Sequence, residues 1–331
     1  MTADLSRKPA LAVVGATGAV GSQIVELVKE RQVLAGGLKL YSRPAANDGR
    51  VEAGELSLPV EVLDDWSALN RADAVFLAVA EAPAREILAA VRGPLLIDLS
   101  AATRKPGERP LVAPGLTPRQ TLVARAASGE RVFEVPHPAA QLIAGALKAL
   151  AVPPGMVGAT LLLGASFGGR ARMDRLFEES ANLLSGRAEA DRVAQGYAFN
   201  AVSGPAEQEL AAAIAAQAAG LGVQDHQLAL RTALVPLLHG AALALHLAEA
   251  PDADQWPARL GVAPGFALAQ SGAGLSALDA VGCQAALCSL DRQSGATTLW
   301  AVFDGARLAA LSAVWIAENL LPAEPGPAPS G

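Results

Sequence analysis

The chain has 331 residues, enough for two domains, and its 52% hydrophobic and 18% charged content describes a globular protein able to bury a large core. Its net charge is −6 and it has no basic cluster to track a phosphate backbone, which argues against nucleic acid as a partner. Two cysteines, Cys283 and Cys288, are too few for a disulfide framework and suit a reducing, cytoplasmic setting. The N-terminal residues are polar and lack an apolar signal core. The most apolar stretch, residues 233–248, is broken by Pro236, His239, Gly240 and His246, so no membrane span is expected. Residues 322–331 are rich in Pro, Gly and Ala and read as a disordered tail.

In chain order, Leu11, Ala12, Val13 and Val14 form an apolar run of strand length. Gly15, Gly18 and Gly21 follow at a spacing of three, then Ile24, Leu27 and Val28 at helical spacing. Strand, glycine turn and helix are the context of a dinucleotide site. Glycine lets the backbone turn sharply and approach a pyrophosphate, and the helix start offers N–H groups and a positive dipole end. The spacing is GxxGxxG rather than the commoner GxGxxG, and an ordinary βα turn could carry the same glycines. The nucleotide reading assigns cofactor contacts to Gly15, Thr17, Gly18, Ala19, Val20 and Gly21.

Residues 38–41 read as a second strand, ending at Ser42 and Arg43. An acid at this point binds the ribose hydroxyls of NAD, whereas an arginine suits a 2′-phosphate. Ser42 and Arg43 therefore lean towards NADP, with NAD still open; a solvated turn arginine is the alternative. Residues 74–79 read as a buried parallel strand, residues 86–91 as helix and residues 95–98 as the next strand. Ser100 follows among small residues at the carboxyl end of that strand, where ligands sit in open α/β sheets. The alternation over roughly the first 130 residues is the doubly wound pattern.

The pattern changes near Glu134, where His137 and Pro138 lead into a helix over residues 139–150, with Pro138 suited to its first turn. A strand (160–163), a loop (166–170), an amphipathic helix (173–184) and an alanine-rich helix (207–221) follow. Residues 228–238 and 242–247 read as strands around a turn at His239 and Gly240. The chain closes with a strand (297–303), a turn at Gly305 and a helix (308–320).

Several chemistries are disfavoured. Tyr41 and Tyr197 are followed four residues later by Ala45 and Ala201, not by the lysine of short-chain reductases. The four histidines and two cysteines show no metal-ligand spacing, and no G-x-S-x-G elbow occurs.

In this order, the pieces resemble the aspartate-semialdehyde dehydrogenase family nearly end to end, and within it the Usg-type paralogues that lack the catalytic cysteine. GATGAVG from Gly15 is similar to its glycine loop. LLIDLSAATR resembles its strand ending in Asn-Ser-Ser-Ala-aromatic-Arg, and FEVPHPAAQLIAGALKAL its catalytic segment. LWAVFDGARLAALSAVWIAE resembles its closing strand and helix, in which the chain returns to the nucleotide domain. The resemblance implies an α/β fold: a Rossmann-like nucleotide-binding domain over residues 1–133 and 305–331, and an α+β catalytic and dimerisation domain over 134–304. It implies a homodimer and a small-molecule ligand.

The family converts β-aspartyl phosphate and aspartate semialdehyde reversibly with NADP, through a cysteine thiolate, a histidine that handles the proton, and arginines that hold phosphate and carboxylate. By resemblance, His239 matches the histidine, Arg104 the phosphate arginine, and Ser42 and Arg43 the 2′-phosphate contacts. The carboxylate arginine falls on Thr232, one place from Arg231, and the nucleophile-orienting glutamine on Leu163. The cysteine position is Pro138 and its asparagine neighbour is His137, leaving Arg104, His137 and Arg231 as candidate substrate or phosphate contacts. Cys283 and Cys288 fall in strand segments of the second domain. Proline supplies neither a thiolate nor a backbone N–H for an oxyanion. Two readings follow. One is a nucleotide-binding protein without phosphorylating activity, a sensor or partner subunit. The other is an active NADP-dependent oxidoreductase on aspartate semialdehyde or another small carbonyl, using His239 or His137 without a covalent step.

Overall fold

The computed structural model describes residues 9–31, 37–42, 49–53, 56–100, 109–187, 196–223, 227–248, 250, 252–269, 274–293 and 295–321. Two compact units divide the chain: Met1–Pro136 with Ala309–Gly331, and His137–Leu308.

The first unit is built on a seven-stranded sheet. Its strands are β1 (Ala10–Val14), β2 (Gly37–Ser42), β3 (Arg50–Ala53), β4 (Leu56–Val62), β5 (Ala74–Leu77), β6 (Leu95–Asp98) and β7 (Val132–Glu134). Their spatial order is β3-β4-β2-β1-β5-β6-β7. All pairs are parallel except β3 with β4. The central strand β1 is apolar throughout because both of its faces are covered. Leu11 and Val13 join one core cluster, and Ala12 and Val14 the other. Helix α1 (Ala19–Arg31) buries Ile24, Val25, Leu27 and Val28 in the first cluster. Helix α2 (Glu81–Ala90) buries Ile87 and Leu88 in the second. Helix α3 (Arg119–Ala127) contributes Leu122 to the first. The last helix of the chain also covers the first cluster, through Ala310, Ala313, Val314, Ile316 and Ala317. Arg31 is clamped to Glu318 at 2.9 Å, tying α1 to that helix.

The second unit carries a six-stranded sheet. Its strands are β8 (Met156–Leu163), β9 (Gln227–Leu234), β10 (Ala241–Ala248), β11 (Phe266–Leu268), β12 (Ala286–Gln293) and β13 (Ala296–Phe303), in the order β11-β12-β13-β10-β8-β9. Its helices are α4 (Pro138–Ala149), α5 (Arg170–Leu184), α6 (Pro205–Ala218) and α7 (Trp256–Gly261). Strand alternation gives β8 a buried face (Val157, Ala159, Leu161, Leu163) and a half-covered one (Gly158, Thr160, Leu162). Register continues that second face through Ala242, Ala244 and His246 on β10, and Val302, Trp300 and Thr298 on β13.

Several sequence expectations change in detail. Strand β9 ends at Leu234, and β8 lies between β9 and β10. Residues 235–240 are therefore a connection passing over a strand, and His239–Gly240 is not a hairpin turn. Pro236 has no N–H to continue a ladder. Gly305 is not a turn but the first residue of the final helix, α8 (Gly305–Leu320). A β-carbon at Gly305 would sit 2.2 Å from Cζ of Phe167, so glycine there serves packing. The alanine-rich helix ends at Ala218 and passes into a wider turn at Ala219–Val223, where Gly222 has φ 93°. Cys283 lies in a turn rather than a strand, its N–H bonded to the Ala280 carbonyl; Cys288 is in β12. Residues 322–331 lie outside the described residues.

Candidate functional site

In the first unit the glycine turn is set by close backbone contacts. Gly15 has φ +86°, and its N–H donates to the Tyr41 carbonyl at 2.8 Å. A β-carbon at Gly15 would lie 2.2 Å from the Ala78 oxygen, and one at Gly21 would lie 2.1 Å from the Gly15 oxygen. These two glycines let β1, β5 and α1 approach one another. Gly18 is different: it is exposed, and a β-carbon there would meet only the Gly15 oxygen, at 3.3 Å. The Ser22 N–H bonds to the Gly18 carbonyl, so the N–H groups of Ala19, Val20 and Gly21 lie at the helix start, before that bond. The first turn of α1 contains no acid to repel a phosphate. An open glycine beside unsatisfied helix N–H groups fits a nucleotide pyrophosphate.

Ser42 ends β2 at the same edge. Arg43 and Arg104 lie outside the described residues. Ser100 is buried, and both its N–H and its hydroxyl donate to Asp98 Oδ1, at 3.0 and 2.7 Å. The fully buried Asp98 has its other oxygen 3.7 Å from Arg109 Nη1. Ser100 thus turns its hydroxyl proton inward.

In the second unit, the start of α4 is the centre of the polar geometry. His137 is the N-cap, and its Nδ1 accepts from Ala139 N–H at 3.1 Å. The backbone N–H of His137 donates to Gln217 Oε1 at 2.7 Å, from near the end of α6. Pro138 is the first helical residue and is buried. The ring of His137 lies 5.7 Å from that of Phe167. Burial pushes the half-buried His137 imidazole down to about 4, so it is neutral at physiological pH.

Phe167 belongs to a short 3-10 turn, Ala165–Gly168. Ala165 and Ser166 donate N–H bonds to the carbonyls of Leu237 and Leu238, at 2.7 and 2.9 Å. Gly164 packs so closely on Gly240 that a β-carbon would lie 2.8 Å from the Gly240 oxygen. His137, Phe167 and the loop bearing the exposed His239 are thereby connected by consecutive contacts. Arg231 does not join them. It is exposed on β9, whereas its neighbour Thr232 is fully buried, with its hydroxyl bonded to the Glu207 carbonyl of α6. Strand alternation therefore directs Arg231 to the opposite sheet face, in register with Thr160. Leu163, in the glutamine position implied by resemblance, is fully buried. Burial pushes the Cys288 thiol up to about 12. Sequence reasoning missed Gln217 and Phe167; Gln217 is the one polar residue between Ala211 and Ala219. Among the described residues, no group of three or more His, Cys, Asp or Glu could hold a metal, and no helix is long and apolar enough to cross a membrane.

A parallel sheet entered through a glycine turn, with a second unit on a mixed sheet, defines an α/β protein with a Rossmann-type dinucleotide-binding domain. Residues 10–124 match the family described as semialdehyde dehydrogenase, NAD binding domain. A USG-1 protein homolog of Azotobacter vinelandii is 28% identical over 94% of this chain and 97% of its own. An aspartate-semialdehyde dehydrogenase of Synechocystis is 34% identical over 33% of this chain and 32% of its own. The solved structure of a probable aspartate-semialdehyde dehydrogenase from Pseudomonas aeruginosa superposes with a TM-score of 0.80 at 26% identity, covering 94% of this chain and 98% of that one. The chain is thus similar to aspartate-semialdehyde dehydrogenases in fold and, through the USG-1 homolog, to a Usg-type relative along nearly its full length.

Proposed function

We propose that this protein binds a nicotinamide nucleotide but lacks the covalent, phosphorylating chemistry of aspartate-semialdehyde dehydrogenases. The observation that carries this reading is the start of α4, where His137 caps the helix and Pro138 occupies its first position. Covalent catalysis at that point needs a thiolate, and proline has none. Proline also lacks an N–H, and the next donor, Ala139 N–H, is committed to His137 Nδ1. Loss of one oxyanion donor costs about 3 kcal/mol of transition-state stabilisation, and loss of the nucleophile adds to it. Cys288 is no substitute: with its pKa near 12, its thiolate fraction at neutral pH is on the order of 10⁻⁵.

The nucleotide half of the reading rests on the open Gly18 and the N–H groups of Ala19, Val20 and Gly21; the nucleotide would supply or accept hydride. Ser42 and Arg43 favour NADP over NAD. The protein works in the cytoplasm on a small ligand. It is a homodimer whose partner covers the part-exposed sheet face around Thr160, Trp300 and His246. Calorimetric titration with NADP+ and NAD+, followed by an assay with aspartate semialdehyde and phosphate, tests the proposal. Tight NADP+ binding without turnover is expected. Efficient NADP-dependent turnover would refute the loss of activity, and failure to bind either nucleotide would refute the nucleotide role.

A second reading is an active NADP-dependent oxidoreductase acting on aspartate semialdehyde or another small carbonyl without a covalent step. The exposed His239, on a loop pinned to the Ala165–Gly168 turn, favours it. Hydride transfer abolished by His239→Ala with the fold retained is the result expected on this reading.

A further inference from the structure

The tautomer of His137 is determined by its partner. A backbone N–H can only donate, so the Nδ1 facing Ala139 N–H carries the lone pair and the ring proton sits on Nε2. Three further contacts hold the residue. Gln217 Oε1 accepts its backbone N–H at 2.7 Å, and its carbonyl accepts from Gln141 N–H at 3.1 Å. Its ring lies against Phe167, tilted by 32°. Phe167 is itself fixed, edge-on to Phe303 at 6.3 Å and pressed against Gly305.

The side chains recorded against His137 are Phe167 and Gln217, neither of them titratable, so no carboxylate among these contacts favours the imidazolium. Protonating Nδ1 would set a second donor against Ala139 N–H and break the cap. Among the described residues Nε2 has no hydrogen-bond acceptor, and the residue remains partly open to solvent.

We propose that His137 is a fixed-tautomer hydrogen-bond donor that presents Nε2–H to a carbonyl or carboxylate oxygen of a small ligand, with Gln217 as the positioning residue that holds it. His137 then polarises or anchors an oxygen without giving up its proton, and it is not the proton carrier of any reaction here. Such a donor needs no thiolate beside it. The inference stands on the second unit alone and is independent of nucleotide binding.

The test is long-range ¹H–¹⁵N spectroscopy of the imidazoles in the ¹⁵N-labelled full chain between about pH 5.5 and 8, where a free histidine titrates. The His137 resonances are assigned by their loss in His137→Ser, which keeps a capping oxygen. A single Nε2–H tautomer, constant over that range, is expected. A midpoint near the ordinary histidine value, or a proton on Nδ1, overturns the proposal.

Gln217→Leu is expected to mix the two tautomers, and Gln217→Glu, which keeps the acceptor, to restore one at pH 8. An unchanged single tautomer in Gln217→Leu removes Gln217 from the device. If Gln217→Leu does not fold, hydrogen exchange at His137 and Ala139 N–H in the unaltered chain decides: protection of both is expected, and fast exchange of either overturns the arrangement. Acetate serves as the carboxylate probe and acetamide as the carbonyl probe. One of them is expected to shift the Nε2–H resonance in the unaltered chain, and neither to shift the Ala139 or Phe167 amides in His137→Ser. No movement with either probe overturns the ligand role. The samples contain no nucleotide, so failure of NADP+ to bind leaves these results readable.

Discussion

The three glycines that follow β1, Gly15 and Gly18 in the turn and Gly21 in the first turn of α1, are predicted to respond differently to the same added methyl group. At Gly15 an alanine must hold φ +86° and place its β-carbon 2.2 Å from the Ala78 oxygen. The left-handed backbone costs about 1–2 kcal/mol and the overpacking about 1–3 kcal/mol, so Gly15→Ala should lose about 2–5 kcal/mol of stability. At Gly21 the overpacking alone applies, against the Gly15 oxygen at 2.1 Å. At Gly18 the new β-carbon meets one oxygen at 3.3 Å and otherwise enters open space, so the fold should lose about 1 kcal/mol or less. That space is the one the proposed pyrophosphate site would use. Gly18→Ala should therefore weaken NADP+ at least tenfold, about 1.4 kcal/mol. Thermal melts without nucleotide and calorimetric titrations with NADP+ separate the two effects. Gly15→Ala should melt several degrees lower, and Gly18→Ala close to the parent. If Gly18→Ala binds NADP+ as tightly as the parent, the open glycine is not a phosphate cradle. If Gly15→Ala melts like the parent, the close approach to Ala78 is not a constraint.

The neutral His137 links stability to pH. With its value near 4 when folded and 6.5 when unfolded, its full contribution is present above about pH 6.5. It is lost progressively as pH falls towards 4, where the unfolded chain takes up a proton that the folded one refuses, and the total loss is about 3 kcal/mol. Urea unfolding at pH 7 and pH 5 should show this drop in the parent and a smaller one in His137→Asn; equal drops would remove His137 as the source. Pro138→Cys should create a thiol that, buried as Pro138 is, alkylates more slowly than a free cysteine despite its place at a helix N-terminus. Phosphorylating activity should stay undetectable because Leu163 supplies no amide; recovered turnover in a coupled assay would contradict that view. Arg43→Asp should shift the NADP+ to NAD+ affinity ratio towards NAD+ in paired titrations, and an unchanged ratio would exclude Arg43 from the 2′-phosphate. Thr160→Arg, on the half-covered sheet face, should convert dimers to monomers in light scattering; an unchanged mass would place the interface elsewhere.

The elements legible in the sequence are those whose burial is uniform. Strand β1 is covered on both faces and so writes an unbroken apolar run; α1 shows its stripe because its outer face meets water. Strands β3 and β4 alternate charged and apolar residues (Arg50, Glu52, Glu61 against Val51, Leu58, Val60) at a sheet edge, so they leave no run to read. The order of β8, β9 and β10 was hidden for a different reason. Apolar strands with a Gly and a His between them suggest a hairpin, and only the pairing of both with β8 shows that they are not neighbours. At the candidate site, the glycines and Pro138 carry their meaning in their own covalent structure. The role of His137 depends on Gln217, 80 residues further on, and on Phe167, and no local pattern reveals that meeting.

Helix α8 also sets a timetable for synthesis. The Leu11 and Val13 face of the first sheet is covered partly by Ala310, Ala313, Val314 and Ile316, which the ribosome makes only after the second unit. Strand β1 can pair with β2 and β5 early, but one side of that sheet stays without this cover while the whole second unit is translated. A nascent chain stopped before residue 309 would expose that apolar face and call on chaperones, while β8 to β13 would already be complete. The nucleotide-binding unit is begun before the second unit and finished after it.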